Sequence, residues 1–192
     1  MTASYRSLSH EVAGVRAKAL AAASEILATQ GVDELNLRAI AESAGIGISS
    51  MYHYFANKEE LLLSLALMGF EDLRGDIVRL QETFPASLAA GARAYLGFAE
   101  ARPALFSVMF SERLLARHDA LREAERETLL VFQAAVETDD RFPAEQRANV
   151  AMVLWTLGRG MAAVISSYPG GEVPQDLVAK FRGGFRYLIS RE

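Results

Sequence analysis

The chain has no cysteine among its 192 residues, only one tryptophan and only three histidines. The first absence excludes disulfides, thiolate catalysis and cysteine-ligated zinc or iron–sulfur centres. The histidines, His10, His53 and His118, are scattered along the chain. They offer no metal-ligand spacing and no visible nucleophile–base pair, so an enzyme and a bound cofactor are not expected. No run approaches the ~18–20 uninterrupted apolar residues of a membrane span. The segment from Met1 to Glu11 lacks the apolar core of a signal peptide. A soluble, cytoplasmic protein is expected. Basic excess is missing too: 20 Lys and Arg stand against 24 Asp and Glu, a net charge of -4. The N-terminal part sets Arg6, Arg16, Lys18, Arg38 and Lys58 against Glu11, Glu25, Asp33, Glu34, Glu42, Glu59 and Glu60. Any affinity for nucleic acid must come from a local arrangement of donors, because most of the surface repels phosphate.

What is present is a large apolar fraction, 51%, enough to bury a core. Apolar residues recur at helical spacing, and sustained period-2 alternation is absent, so the expected fold class is all-α. The first helix is predicted from Ser9 to Gln30, after a few disordered residues. Its apolar stripe includes Val15, Ala19, Ala22, Ala23, Ile26 and Leu27, and Gly31 takes the left-handed position past its end. Asn36 is a plausible N-cap for a helix over Leu37–Ala44. Gly45 ends it, and Ile48–Phe55 forms another. Asn57 with Glu60 resembles a capping box opening a helix that extends to about Leu80. Breaks at Pro85, Pro103, Asp139–Pro143 and Pro169-Gly170-Gly171 divide the rest into helices over Ala86–Ala101, Pro103–Phe110, Glu112–Thr138, Pro143–Ser167 and Pro174–Ser190.

The most informative stretch is Leu37–Phe55, LRAIAESAGIGISSMYHYF. Two short helices meet at a turn. Ala41 is small where they cross, Gly45 sits where a positive φ is needed, and Ile40, Ile46, Met51 and Tyr54 are spaced to close a miniature core. This is the spacing of a helix-turn-helix, whose second helix enters the major groove. A plain αα-corner has a similar frame. The second helix, however, offers Ser49, Ser50, Tyr52 and His53 where a structural corner more often carries Glu and Lys. Hydroxyls and an imidazole suit phosphates and base edges. Tyr52 and Tyr54 fall on different sides of the helix, so Tyr52 is expected to reach DNA and Tyr54 and Phe55 to pack inward. Lys58 follows at a helix start, where N–H groups already favour an anion.

Residues 12 to about 72 resemble the N-terminal domain of the TetR family of repressors. The likeness rests on Leu37-Arg38-Ala39-Ile40-Ala41, Ala44-Gly45-Ile46, Met51-Tyr52-His53-Tyr54-Phe55 and Asn57-Lys58-Glu59-Glu60-Leu61. The resemblance implies an N-terminal three-helix helix-turn-helix domain, 12–72, and a C-terminal helical ligand-binding and dimerisation domain, 73–192. It implies that Tyr52 and Lys58 contact phosphates, and that Ile48, Ser49, Ser50 and His53 approach base edges. Asn36 and Arg38 would meet the DNA backbone. Gly47 departs from the family, which usually has Ser or Thr there as N-cap of the recognition helix, so a side-chain oxygen is lost. Ile48 is apolar where polar or basic residues are common, and suits a thymine methyl or simply weakens binding.

The segments Tyr95-Leu96-Gly97-Phe98-Ala99, Pro103-Ala104-Leu105-Phe106 and Met109-Phe110, and Trp155-Thr156-Leu157-Gly158-Arg159-Gly160, resemble the C-terminal domains of one TetR subgroup. Arg159 stands where that subgroup's Trp–His–Gly signature has His. Phe98, Phe106, Met109, Phe110 and Trp155 are either core or the lining of a pocket for a small, largely apolar ligand. Arg159 meets a ligand acid, an internal Glu or a dimer seam. Glu123, Glu125 and Glu127, alternating with Arg122 and Arg126, read as a solvated helix face. The helices near 143–167, rich in small residues, and 174–190 are the expected homodimer surface, and the implied partner is double-stranded operator DNA.

Overall fold

The computed structural model describes residues 2–83, 88–137, 139–168 and 173–189. The regular structure described is helical throughout. In order come α1 (Thr2–Gln30), α2 (Leu37–Ala44), α3 (Ile48–Tyr54), α4 (Lys58–Thr83), α5 (Leu88–Ala101) and α6 (Pro103–Met109). They are followed by α7 (Glu112–Arg117), α8 (Asp119–Glu137), a 3-10 turn (Ala144–Gln146), α9 (Arg147–Ser166) and α10 (Gln175–Ile189). The expected all-α class is what the chain adopts.

Most boundaries follow from the capping residues. Asn36 accepts the amide of Ala39 at 2.9 Å, and Gly31 and Gly45 take φ of 87° and 64°, a region that Cβ-bearing residues avoid. Asn57 accepts the amide of Glu60 at 3.0 Å, and Glu60 reaches back to the amide of Ala56 at 2.7 Å. The capping box therefore closes one residue further upstream than the standard form. Three expectations change. The first helix starts at Thr2 rather than Ser9, with no Pro or Gly before Gly14 to stop it propagating toward the N-terminus. The predicted helix Glu112–Thr138 is broken at His118, whose backbone is extended at φ -125°, ψ 105°. On either side of the break, Leu114 and Leu115 of α7 and Leu121 of α8 are all buried in the core. The predicted helix Pro143–Ser167 opens with a 3-10 turn after Pro143 before α9 begins. The predicted breaks at Pro85 and at Pro169-Gly170-Gly171 lie outside the described residues.

The core is continuous from end to end. Ala19, Ala23, Ile26 and Leu27 of α1 pack with Leu35, Leu37, Ile40, Met51 and Phe55 around the helix-turn-helix. The helix α4 carries that core onward through Leu61, Leu65, Phe70, Leu73 and Ile77, and packs against α5, α6 and α8. Two glycines mark close approaches. A Cβ on Gly69 would lie 2.6 Å from Met109 Sδ, and one on Gly158 would lie 1.7 Å from a ring carbon of Tyr95. Tyr95 is the hub of an aromatic block, with Phe106, Phe132 and Trp155 at centroid distances of 5.3, 6.0 and 4.9 Å. Its hydroxyl, 3.4 Å from the carbonyl of Trp155, is pushed well above the ordinary tyrosine range by burial. The facing Arg159 pulls it down and Glu125 pushes it up.

Candidate functional site

The helix α3 has two unlike sides. Met51 is wholly buried, as is Phe55 just past its end, and these residues anchor the helix on α1 and α2. Outward it shows Ile48, Ser49, Ser50, Tyr52 and His53, all exposed, with Tyr52 at 59%. Tyr54 is half-buried and meets His53 edge-on at 5.2 Å. Tyr52 thus faces outward and Phe55 packs inward as expected, while Tyr54, also expected inward, is only partly so. Gly47 is the N-cap of α3, with extended backbone and no side-chain cap.

The flanking residues are more constrained. Asn36 is exposed, but both ends of its amide serve the local backbone: Oδ1 caps α2, and Nδ2 donates to Glu34 O at 3.0 Å. Arg38 is exposed on the first turn of α2, with no carboxylate partner among the described residues. Lys58 does not project freely. Its ammonium donates to the carbonyls of Val32 and Asp33 at 2.6 and 3.4 Å, tying the start of α4 to the loop after α1.

Beside it, Glu59 makes a junction that sequence spacing does not reveal. Its carboxylate meets Arg113 and Arg117 of α7 at 3.2 and 2.8 Å, and His118 at 3.2 Å. Burial pushes the Glu59 carboxyl up. The His118 hydrogen bond and the charges of Arg117 and Arg113 outweigh it and hold the group below its ordinary value. The only hint in the sequence is that Arg113 and Arg117, four residues apart, share a helix face.

The predicted ligand residues separate into two sets. Phe98, Phe106 and Met109 are core side chains. Phe110, Trp155 and Arg159 line an open groove of about 930 Å³ between α6, α7, α8 and α9. Its walls include Ser107, Ser111, Arg122, Leu129, Met152 and Thr156. Arg159 lies 5.6 Å above the Phe110 ring and pairs with Glu125 at 3.0 Å. Glu125 therefore departs from the solvated face expected for its helix: its side chain is only 15% exposed. Sequence reasoning missed it because its partner lies on α9. A second cavity of about 550 Å³ lies between α1, α4 and α8. Its rim charges are partly neutralised by the Arg74–Glu127 and Arg126–Glu123 pairs. Among the described residues no group of His, Asp and Glu is placed to hold a metal, and no helix is long and apolar enough to cross a membrane.

A short helix buried along one side, presented on a tight glycine turn and exposed on the other, has the frame of a helix-turn-helix. Comparison with known proteins makes this specific. Residues 19–65 match the family model described as bacterial regulatory proteins, tetR family, and residues 88–182 match the tetracyclin repressor-like C-terminal domain. The chain belongs to the TetR family of transcriptional regulators. It is 28% identical over 109 residues to HTH-type transcriptional regulators of Mycobacterium tuberculosis and Mycobacterium bovis, covering 54% of this chain and 47% of theirs. The chain thus spans about half the length of these curated relatives. A Rhodococcus protein of unknown function is 25% identical, with TM-score 0.66 over 92% of this chain and 96% of its own. A TetR-family regulatory protein, also from Rhodococcus, shares the fold at 20% identity, with TM-score 0.61 over 93% of this chain and 98% of its own.

Proposed function

We propose that the protein is a ligand-responsive repressor that binds a near-palindromic operator as a homodimer. The observation that carries the reading is the unpartnered outward face of α3, held on a fully buried inner side. Tyr52 donates to a phosphate, Ser49, Ser50 and His53 reach base edges, and Ile48 packs on a thymine methyl. Gly47 allows close approach of the backbone, and Asn36 and Arg38 meet the flanking strand. Lys58 supplies positive charge to a phosphate while bracing the loop after α1. The operator-reading unit corresponds to 12–72 and the ligand-binding and dimerisation unit to 73–192, with α4 running across the division.

The exposed apolar residues Val153 and Val164 of α9 and Tyr187 and Leu188 of α10 support a dimer built from α9 and α10 of each copy. Two-fold symmetry then sets the two recognition helices about one DNA turn apart, ~34 Å. A small, largely apolar ligand in the groove at Phe110, Trp155 and Arg159 favours a different spacing. It shifts the equilibrium only by its differential affinity for the two states. The Glu59 junction conveys the shift, since it fastens the DNA-side end of α4 to α7, which borders the groove.

Gel-shift titration on DNA fragments selected for binding tests the reading. Tyr52→Ala, at a residue 59% exposed, is expected to weaken binding about ten-fold or more with little change in the melting curve. Lys58→Ala is expected to weaken it as well and to lower stability slightly. Unchanged affinity in both variants overturns the assigned surface. Wild-type affinity should fall steeply with salt, as phosphate contacts require. Val153→Glu with Leu188→Asp should yield monomers in sedimentation; a persisting dimer removes α9 and α10 from the interface.

A further inference from the structure

We infer that the groove between α6, α7, α8 and α9 takes an amphipathic organic acid, with its apolar body against Trp155, Phe110, Leu129 and Met152 and its carboxylate on Arg159. The inference rests on the proposal that this groove is the ligand site, and it deepens that proposal by assigning the ligand's charge.

Three guanidinium groups line the groove, those of Arg122, Arg126 and Arg159, against the carboxylates of Glu112 and Glu125. The partners of Arg122 and Arg126 are Asp119 and Glu123, each three residues earlier on α8. Neither of these acids lines the groove, and both pairs are solvent-exposed, where such pairing is weak and readily exchanged. Arg159 differs from both. Its side chain is 40% exposed while that of its partner Glu125 is 15% exposed, so the ion pair presents donors rather than acceptors to an occupant. Among the described residues Arg159 makes this ion pair through Nη1 and its contact with the Phe110 ring, and no further acceptor stands against its remaining N–H groups. A guanidinium carries five donors in a planar fork. The edge not turned to Glu125 is free for a two-point contact with a carboxylate, the geometry at which arginine is most selective. The groove's lining of Trp155, Phe110, Leu129 and Met152 beside this single free fork is the usual composition of a site for a ligand with one charged end.

Trp155 is the only tryptophan in the chain and lines the groove, so its fluorescence reports occupancy directly. Three probes with the same phenyl-alkyl body are compared on the full chain: 4-phenylbutyrate, 4-phenylbutanol and 4-phenylbutylamine. The acid is expected to change Trp155 emission saturably and to bind about ten-fold more tightly than the alcohol or the amine, the scale of a charge-assisted contact. Arg159→Gln should remove that preference while leaving affinity for the alcohol unchanged. Glu125→Gln should strengthen binding of the acid several-fold by freeing Arg159 from its competitor, whereas a merely structural ion pair would make the same substitution weaken it. If the alcohol or amine binds as tightly as the acid, or if Arg159→Gln leaves the acid's affinity unaltered, the site stands and the charge assignment is overturned. If no probe gives a saturable change, the groove is not the ligand site and both proposals fall together.

Discussion

The outward face of α3 and the groove beneath α9 are both open to solvent, yet they are assembled in opposite ways. On α3 the side chains that face outward have almost no fixed partners, and the rigidity lies behind them, in Met51, Phe55 and the capped turns. In the groove the lining groups are themselves fixed: the half-exposed Arg159 against Glu125 and Phe110, and the buried Trp155 against the Tyr95 ring. On the proposed reading, a surface that meets many DNA sites benefits from side chains that adapt on a firm support, and a groove that changes state with its ligand benefits from wall residues already coupled to the core. The difference also separates the kinds of substitution each region tolerates.

The largest expected effect lies at Gly158. Its Cβ position is occupied by the Tyr95 ring, 1.7 Å away, and the ring is boxed in by Phe106, Phe132 and Trp155. Gly158→Ala must displace the whole aromatic block, so a loss of about 3 kcal/mol is expected. For a chain of this length that corresponds to a melting temperature lower by roughly 6–12 °C. Thermal unfolding followed by near-ultraviolet circular dichroism reads both quantities. By contrast Gly160, two residues on, has open space at its Cβ, and Gly160→Ala should stabilise α9 by about 0.5–1 kcal/mol. If the two alanines behave alike, the groove wall is as adaptable as the α3 face and the contrast fails.

A smaller effect is expected at the Glu59 junction, which joins the two regions. The carboxyl is held below its ordinary value of 4.5, so the unfolded chain binds the proton more readily. The junction's contribution is therefore complete above that ordinary value and is lost as the pH falls through the lower folded one. Glu59→Gln should lower the urea midpoint more at about pH 7 than at a pH below the ordinary carboxylate value. It should also reduce the effect of a groove ligand on DNA affinity. Equal deficits at both pH values would show that Glu59 acts by packing alone.

The sequence was most legible where structure is local. Asn36, Gly45, Asn57 and Glu60 act within a few residues of where they stand, so the helix-turn-helix frame and the outward aim of Tyr52 could be written down from spacing. The break at His118 was not legible, because Glu112–Thr138 has a good helical pattern on both sides and the interruption is enforced from α4 and the core. Glu125 and Gly158 were hidden for the same reason. Glu125 matches a solvated face by every local measure, and only the return of α9 converts it into the partner of Arg159. Gly158 could be read as allowing close helix approach, but the Tyr95 ring that needs the space is more than sixty positions away. Of the six residues expected around a ligand, Phe110, Trp155 and Arg159 line the groove while Phe98, Phe106 and Met109 do not, a division that depends on packing among four helices and has no local signature.

The smallest effect tests whether the α3 face is as loosely determined as the comparison holds. A Cβ on Gly47 meets nothing within 4 Å, and the residue sits at the N-cap with φ -62° and ψ 137°, a conformation any residue adopts. Gly47→Ser is therefore expected to add a hydrogen bond to the free amides of the first turn of α3 and to stabilise the domain by only a few tenths of a kcal/mol. Its hydroxyl also lies on the side from which DNA approaches, where it adds a phosphate contact. Operator affinity should rise by a factor larger than the stability gain alone provides, with the salt dependence nearly unchanged because no charge is added. Gel-shift titration at two salt concentrations, with urea unfolding of the same samples, separates the two contributions. A gain in stability with no gain in affinity would mean that α3 was already fully ordered and that the Gly47 backbone does not face the phosphates.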